Sequence, residues 1–203
     1  MELRIKMKYS KSIIIFLSIL QSTVLSAQAE KIAVDSKNSA VEFLAIGSPS
    51  AIKIKGEKAK VDGVVQIENN KLQAILKVDL NTFETGMEMR DEHMKENYLQ
   101  TDKPENKIAQ LEIKNLNIPT EYWKNSKELN LEFTGDLTLH NIKKPIIGKI
   151  LLSPYKDNST INTTSELKIK LSEHKIEIPT FAGITVAEDV NISVKLPLII
   201  TAK

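Results

Sequence analysis

Four polar residues carry most of the chemistry on offer in this chain of 203 residues: Arg90, Asp91, His93 and His140. The planar fork of an arginine donates two parallel hydrogen bonds to a phosphate or carboxylate. An imidazole beside it adds a second polar contact, and an aspartate orients one or the other. Such a group meets the polar head of an amphiphile. The competing role is structural: Arg90 and Asp91 anchor a helix, and His140 completes a hairpin turn. His174 lies in a charged run and reads as a solvated surface residue. Met87, Met89 and Met94 fall within eight residues, beside His93. Soft thioethers with an imidazole suit copper(I), which makes a metal- or stress-responsive binding protein the second candidate. Unbranched methionines also fill irregular gaps under a helix. Catalysis has the least support. No H-E-x-x-H, G-x-S-x-G or phosphate-loop spacing occurs, so an esterase-like site would need Asp91, His93 and a distant hydroxyl. The chain has no cysteine, which removes disulfides, thiolate metal sites and thiol nucleophiles. We expect a binding protein rather than an enzyme, with no cofactor.

Residues 1–11 are basic, 12–25 are mostly apolar, and Ala27-Gln28-Ala29 fits a small-x-small cleavage site. This reads as a secretory signal peptide over 1–29, with the mature domain over 30–203. A membrane span needs about 20 apolar residues, and here Gln21, Ser22 and Thr23 interrupt the run. Lys+Arg number 28 against 26 Asp+Glu. Arg4, Lys6, Lys8 and Lys11 belong to the leader, so the body is nearly neutral. That excludes a broad attraction for nucleic acid.

The elements that must position these residues are strands. Leu72, Ala74, Leu76, Val78 and Leu80 alternate with mostly polar neighbours. Leu129, Leu131, Phe133, Leu137 and Leu139 do the same, as do Leu167, Ile169 and Leu171 and the even positions from Val190 to Ile200. Period two places one set of side chains on one face of a half-buried strand. A turn at Asn69-Asn70 pairs Ile67 with Leu72, Val65 with Ala74, Gly63 with Leu76 and Val61 with Val78. A turn at Asn141-Ile142 pairs Leu137 with Ile146, Gly135 with Gly148, Phe133 with Ile150 and Leu131 with Leu152. Strands are expected near 40–46, 51–68 (bent at Gly56), 71–81, 107–116, 129–139, 144–153, 159–171 and 189–201. About eight antiparallel strands, each with one apolar face, hide that face best by closing into an all-β barrel. Residues 87–99 are rich in helix formers, and we expect one short helix there, across an end of the barrel.

The inward face then decides function. Val61, Gly63, Val65 and Ala74 point inward with Leu76 and Val78. So do Leu131, Phe133, Gly135 and Leu137, and Ile146, Val194 and Leu196. Small residues, with Gly135 facing Gly148, remove filling volume. An apolar cavity with polar groups only near its mouth suits a long hydrocarbon ligand. Arg90, Asp91, His93 and His140 are the expected mouth.

Thr85 to Met94, with its Thr…Arg-Asp-x-His-Met order, resembles a signature of the YceI-like family. Phe133-Thr-Gly135-Asp-Leu137-Thr138-Leu139-His140 is similar to its second signature, Gly-x-Leu-Thr-Leu-His-Gly, and Val190 to Leu196 to its final strand. The resemblance covers roughly 31–200. It implies a lipocalin-like barrel, export to a bacterial periplasm, and an amphiphilic ligand of polyisoprenoid or fatty-acyl type. Transient membrane contact would accompany loading. Asn141 replaces the glycine that follows the family's histidine. An early Gly-x-Phe is replaced by Gly56-Glu57-Lys58, so the cavity differs at that end.

Overall fold

The computed structural model describes residues 30–48, 52–125, 127–156, 160–181 and 183–200. The expected leader lies outside them. Among the described residues the strands are β1 (Glu30–Val34), β2 (Ala40–Ser48), β3 (Ile52–Ala59), β4 (Val61–Glu68), β5 (Lys71–Asp79), β6 (Ile108–Asn117), β7 (Leu129–Leu139), β8 (Ile142–Leu152), β9 (Thr160–Lys170), β10 (Thr180–Phe181) and β11 (Ile184–Ile200). Two short helices, α1 (Glu88–His93) and α2 (Thr120–Asn125), complete the set.

All pairings are antiparallel, and β4 to β9 neighbour one another in sequence order. The long strand β11 lies against β9. On its other edge β11 pairs first with β2 and then, over Leu198–Ile200, with β1. β1 also pairs with β4, and β2 with β3. β1 and β2 are thus two halves of one stave, and β3 and β4 are halves of another. Counted this way, eight staves close the barrel, which hides every apolar face and leaves no long edge unpaired.

The two broken staves are stitched at one level by Ser39, which is fully buried. Its hydroxyl accepts a hydrogen bond from the Val61 amide at 2.8 Å and donates to the Ser36 carbonyl at 2.7 Å. The expected bend at Gly56 is therefore moved: the stave breaks at Lys60, after Lys58 has turned to φ 76°. Gly56 stays in regular strand for another reason. A Cβ there would fall 1.9 Å from the ring of Phe43, which faces it in register.

The Asn69-Asn70 hairpin has the expected register, Val61 to Val78 through Ile67 to Leu72. The second hairpin is corrected by two positions. Its turn is His140-Asn141, with φ 50° and 56°, so Leu139 faces Ile142, Gly135 faces Ile146 and Phe133 faces Gly148. A turn of this kind needs positive φ at both central residues, which Asn and His tolerate and β-branched Ile142 resists. The even shift leaves every side chain on its expected face.

The expected helix over 87–99 is α1 followed by a wider turn over Met94–Tyr98. It crosses one end of the barrel. α2, which the strand pattern does not announce, covers the opposite end. There Tyr122 donates to the Ser153 carbonyl at 2.7 Å, and Trp123 stacks edge-on against Tyr122 and Tyr155.

Candidate functional site: a blind apolar cavity under α1

A cavity of about 400 Å³ occupies the half of the barrel beneath α1. The described lining includes Val61, Leu76, Leu111, Leu137, Leu167 and Val194, and no residue of β8. Farther along the same strands Ala74, Ile113, Phe133 and Leu196 are buried in the packed core. The wall of the hollow half mixes small residues, Val41, Ala45, Val61 and Ala109 among them, with larger ones such as Phe43, Leu137 and Ile169. The filled half holds Phe133, Ile113, Leu116, Leu152, Ile161 and Tyr122.

This division sorts the expected lining. Val61, Leu76, Val78, Leu137 and Val194 are on the cavity wall. Val65, Ala74, Phe133 and Leu196 belong to the filled half, and so do Gly135, Leu131 and Ile146 by their level along the strands; Gly63 faces Leu76 in register but is not itself on the wall. The glycines do not hold the cavity open. A Cβ at Gly148 would lie 2.5 Å from the Phe133 ring, and one at Gly135 would lie 2.8 Å from the Glu112 carbonyl oxygen and 3.0 Å from Leu111. Glycine at these positions makes room for a neighbour, so the space is occupied.

The roof is α1 and the segments beside it. Leu80, Phe83, Met94, Tyr98 and Leu99 close the cavity from above, and Ile176 and Pro179 from the side. Phe83 meets Phe43 edge-on at 5.2 Å. The Tyr98 hydroxyl donates to the Thr180 carbonyl at 3.3 Å and accepts from its amide at 3.2 Å, which ties the helical segment to β10. Apart from Leu80, the alternating pattern does not reveal these roof residues, because they come from segments without period two. Val41, Ala45, Leu167 and Ile169 were open to it.

Among the described residues, Arg90 is the one Lys, Arg, Asp or Glu on the wall. Its Nε donates to the Thr85 hydroxyl at 2.8 Å and one terminal nitrogen to the Thr85 carbonyl at 2.5 Å. Asp91 accepts from the Thr85 amide at 2.7 Å and from its hydroxyl at 2.5 Å. Asp91 thus fastens the start of α1 to the strand-side loop. Arg90 shares that anchor and still fronts the cavity, as does His93.

His140 does not join them. It sits in the β7–β8 turn, with Nδ1 donating to the His174 carbonyl at 3.1 Å, and its buried Nε2 has no hydrogen-bond partner. His174 is 1% exposed, which corrects its reading as a solvated residue. Its Nδ1 donates to the Ile142 carbonyl at 3.2 Å. Burial holds its pKa below the usual 6.5, against the pull of the Ile142 and Leu139 carbonyls. The charged run around His174 belongs to a helical turn, Leu171–His174, whose two buried residues are Leu171 and His174.

All three methionines line the cavity. Met94 packs against the core, while Met87 and Met89 are more than half exposed at the entrance.

Residues 33–198 match the family model of the YceI-like domain. The chain belongs to the YceI-like family. Among solved structures, it is similar to a polyisoprenoid binding domain from Saccharophagus degradans. That match has 14% identity and a TM-score of 0.66, over 85% of this chain and 99% of that one. It is also similar to BcnA of Burkholderia cenocepacia, at 18% identity and TM-score 0.62, over 81% and 98%. A YCEI protein of Campylobacter jejuni matches at 16% identity and TM-score 0.52, over 73% and 86%. At these identities the likeness is one of fold. No curated protein matches the sequence. The first YceI-like signature, in this chain, is the anchor of the roof helix. The second is the β7 segment that crosses from the filled half to the cavity wall.

Proposed function

We propose that this YceI-like protein is exported to the periplasm and takes up one amphiphilic lipid, of isoprenoid or fatty-acyl type. The tail enters the cavity and the polar head stays near Arg90 and His93. The cavity carries this reading: about 400 Å³ with an almost wholly apolar wall and a single guanidinium at its roof. Water in such a space finds too few polar partners, while a hydrocarbon tail gains roughly 25 cal/mol for each Å² it hides from water. The ligand class named for the Saccharophagus degradans neighbour agrees with this chemistry. The basic, then apolar leader over 1–29 supports export. Exposed Met87 and Met89 at the entrance suit brief contact with a membrane during loading. We assign the protein a carrying role and no catalysis.

The test is solvent extraction of the protein purified from its own host, followed by mass spectrometry. One long-chain lipid per chain is the expected result. Repeatedly empty barrels that take up neither polyprenyl nor fatty-acyl probes would overturn the reading.

A further inference from the structure

The roof of the cavity sorts its charges by side. We infer that the guest carries an anionic head with paired oxygens, a carboxylate or a phosphate, and that Arg90 selects it over a neutral head. The inference rests on the lipid-binding reading above and narrows it, from where the head lies to what the head is.

Three observations carry it. First, the roof segment divides across its two faces. Arg90, His93 and Met94 line the cavity, with no carboxylate of the described residues beside them on the wall. Glu88, Asp91, Glu92 and Lys95 line a separate groove together with Glu84, and Arg90 is absent from it. Those four positions are spaced three and four apart, which puts them on one helical face. Second, the guanidinium has no counter-ion. Among the described residues Arg90 takes part in no ion pair. Asp91 reaches it only through Thr85, whose hydroxyl accepts from Arg90 Nε and donates to the Asp91 carboxylate. A cation on an apolar wall is stabilised by an anion that docks against it. The outer carboxylates act on an approaching anion through water, whereas Arg90 acts on a docked one at contact distance in a medium that screens less.

Third, Thr85 leaves the right donors free. A guanidinium can grip two oxygens along its side, with Nε and one terminal nitrogen, or at its end, with both terminal nitrogens. Thr85 fills the side: its hydroxyl takes the Nε proton and its carbonyl the terminal one. That double contact fixes the plane of the group and leaves the end for a guest. Two parallel hydrogen bonds from this edge match the oxygens of a carboxylate or a phosphate. A single hydroxyl or ketone satisfies half of it. Thr85 is thus a positioning residue, and Arg90 the one that meets the head.

The experiment holds the tail constant and varies the head. A fluorescent fatty-acyl probe is displaced from the purified protein near pH 8 by dodecanoate, dodecyl phosphate, dodecanol and dodecylammonium. At least one of the two anions is expected to bind about tenfold or more tightly than dodecanol, the worth of a charge-assisted pair, with dodecylammonium weakest. The tighter anion names the source of the head, a free fatty acid or a phosphorylated lipid. Arg90→Gln should bring the anions to within about threefold of dodecanol and leave dodecanol itself little changed. Arg90→Lys keeps a point charge without the planar edge, so it should keep only part of the preference, and it serves even if Arg90→Gln does not fold. Dodecanol or dodecylammonium binding as tightly as both anions in the unaltered chain overturns the selection by head while leaving lipid binding intact. So does an anion preference that neither substitution reduces. Failure of all four to displace the probe overturns both.

Discussion

At the end of the barrel covered by α2, Leu152, Ile161 and Phe133 are almost inaccessible and interlock with Tyr122. At the end covered by α1, Leu76, Val78, Ala109 and Val194 are in the same alternating pattern but face empty space. Strand periodicity is equal at both ends. What differs is what the covering helix brings. α2 brings Tyr122 and Trp123 and closes its end. α1 spans its end on a tether of Thr85, Arg90 and Asp91. Period two says which way a side chain points, but not whether the interior is solid.

The contrast can be broken most severely with Leu137→Arg. Leu137 is buried on the cavity wall, and a charge there, without a partner, costs several kcal/mol. The variant should fail to fold or fail to take up lipid. Soluble yield and probe uptake check this, and normal uptake would show that the face assignment is wrong. A paired comparison sharpens the difference between the two halves. Leu152→Ala in the filled half should lose about 3–5 kcal/mol in urea unfolding. Leu76→Ala, which already borders a void, should lose about 2 kcal/mol or less. Equal losses would mean that the cavity collapses in solution. Next in size is Asp91→Ala, which removes two hydrogen bonds from the roof anchor. It should cost about 1–2 kcal/mol. Hydrogen exchange should quicken over residues 85–99 with the filled half unchanged.

The smallest effect is a pH asymmetry. His174, at the hollow end, has its pKa lowered by burial, so the unfolded chain binds the extra proton first. Its contribution is whole above 6.5 and fades as the pH falls below that value. Tyr122, at the filled end, is pushed up to about 12 by burial, so its contribution is whole below 10 and fades above it. Melting temperature should fall toward pH 5, and His174→Leu should flatten that acid slope. Tyr122→Phe should leave the acid slope in place and flatten the one above pH 10.

Much of the fold was legible because it rests on period two and on turn residues with few conformational options. Asn69-Asn70 set its hairpin outright. The second turn was misplaced by one residue, and its register by two, because the positive φ fell on a histidine, a less obvious carrier of that conformation than Asn141. β1 is too short and α2 too brief for any period to announce them. The mouth was legible only in part. Arg90 and His93 front the cavity as their types suggested, whereas half-buried His140 and buried His174 are joined by a hydrogen bond that depends on two turns meeting far apart in sequence. The glycines misled because a missing side chain looks the same whether it leaves a void or admits a ring. Phe43 over Gly56 and Phe133 over Gly148 admit rings. Gly56-Glu57-Lys58 carries no aromatic, and the ring over Gly56 comes from Phe43 on the neighbouring strand.

The way β11 is shared has a consequence for assembly. This strand touches β9, β2, β10 and β1, and the ring shuts only when Ile200 reaches Ile32. Joining positions so remote along the chain is entropically late and slow. Until then the growing polypeptide is an unsealed sheet with its oily side bare, a state that a translocation channel can thread and a holding chaperone can grip. A chain cut before residue 190 would remain in it.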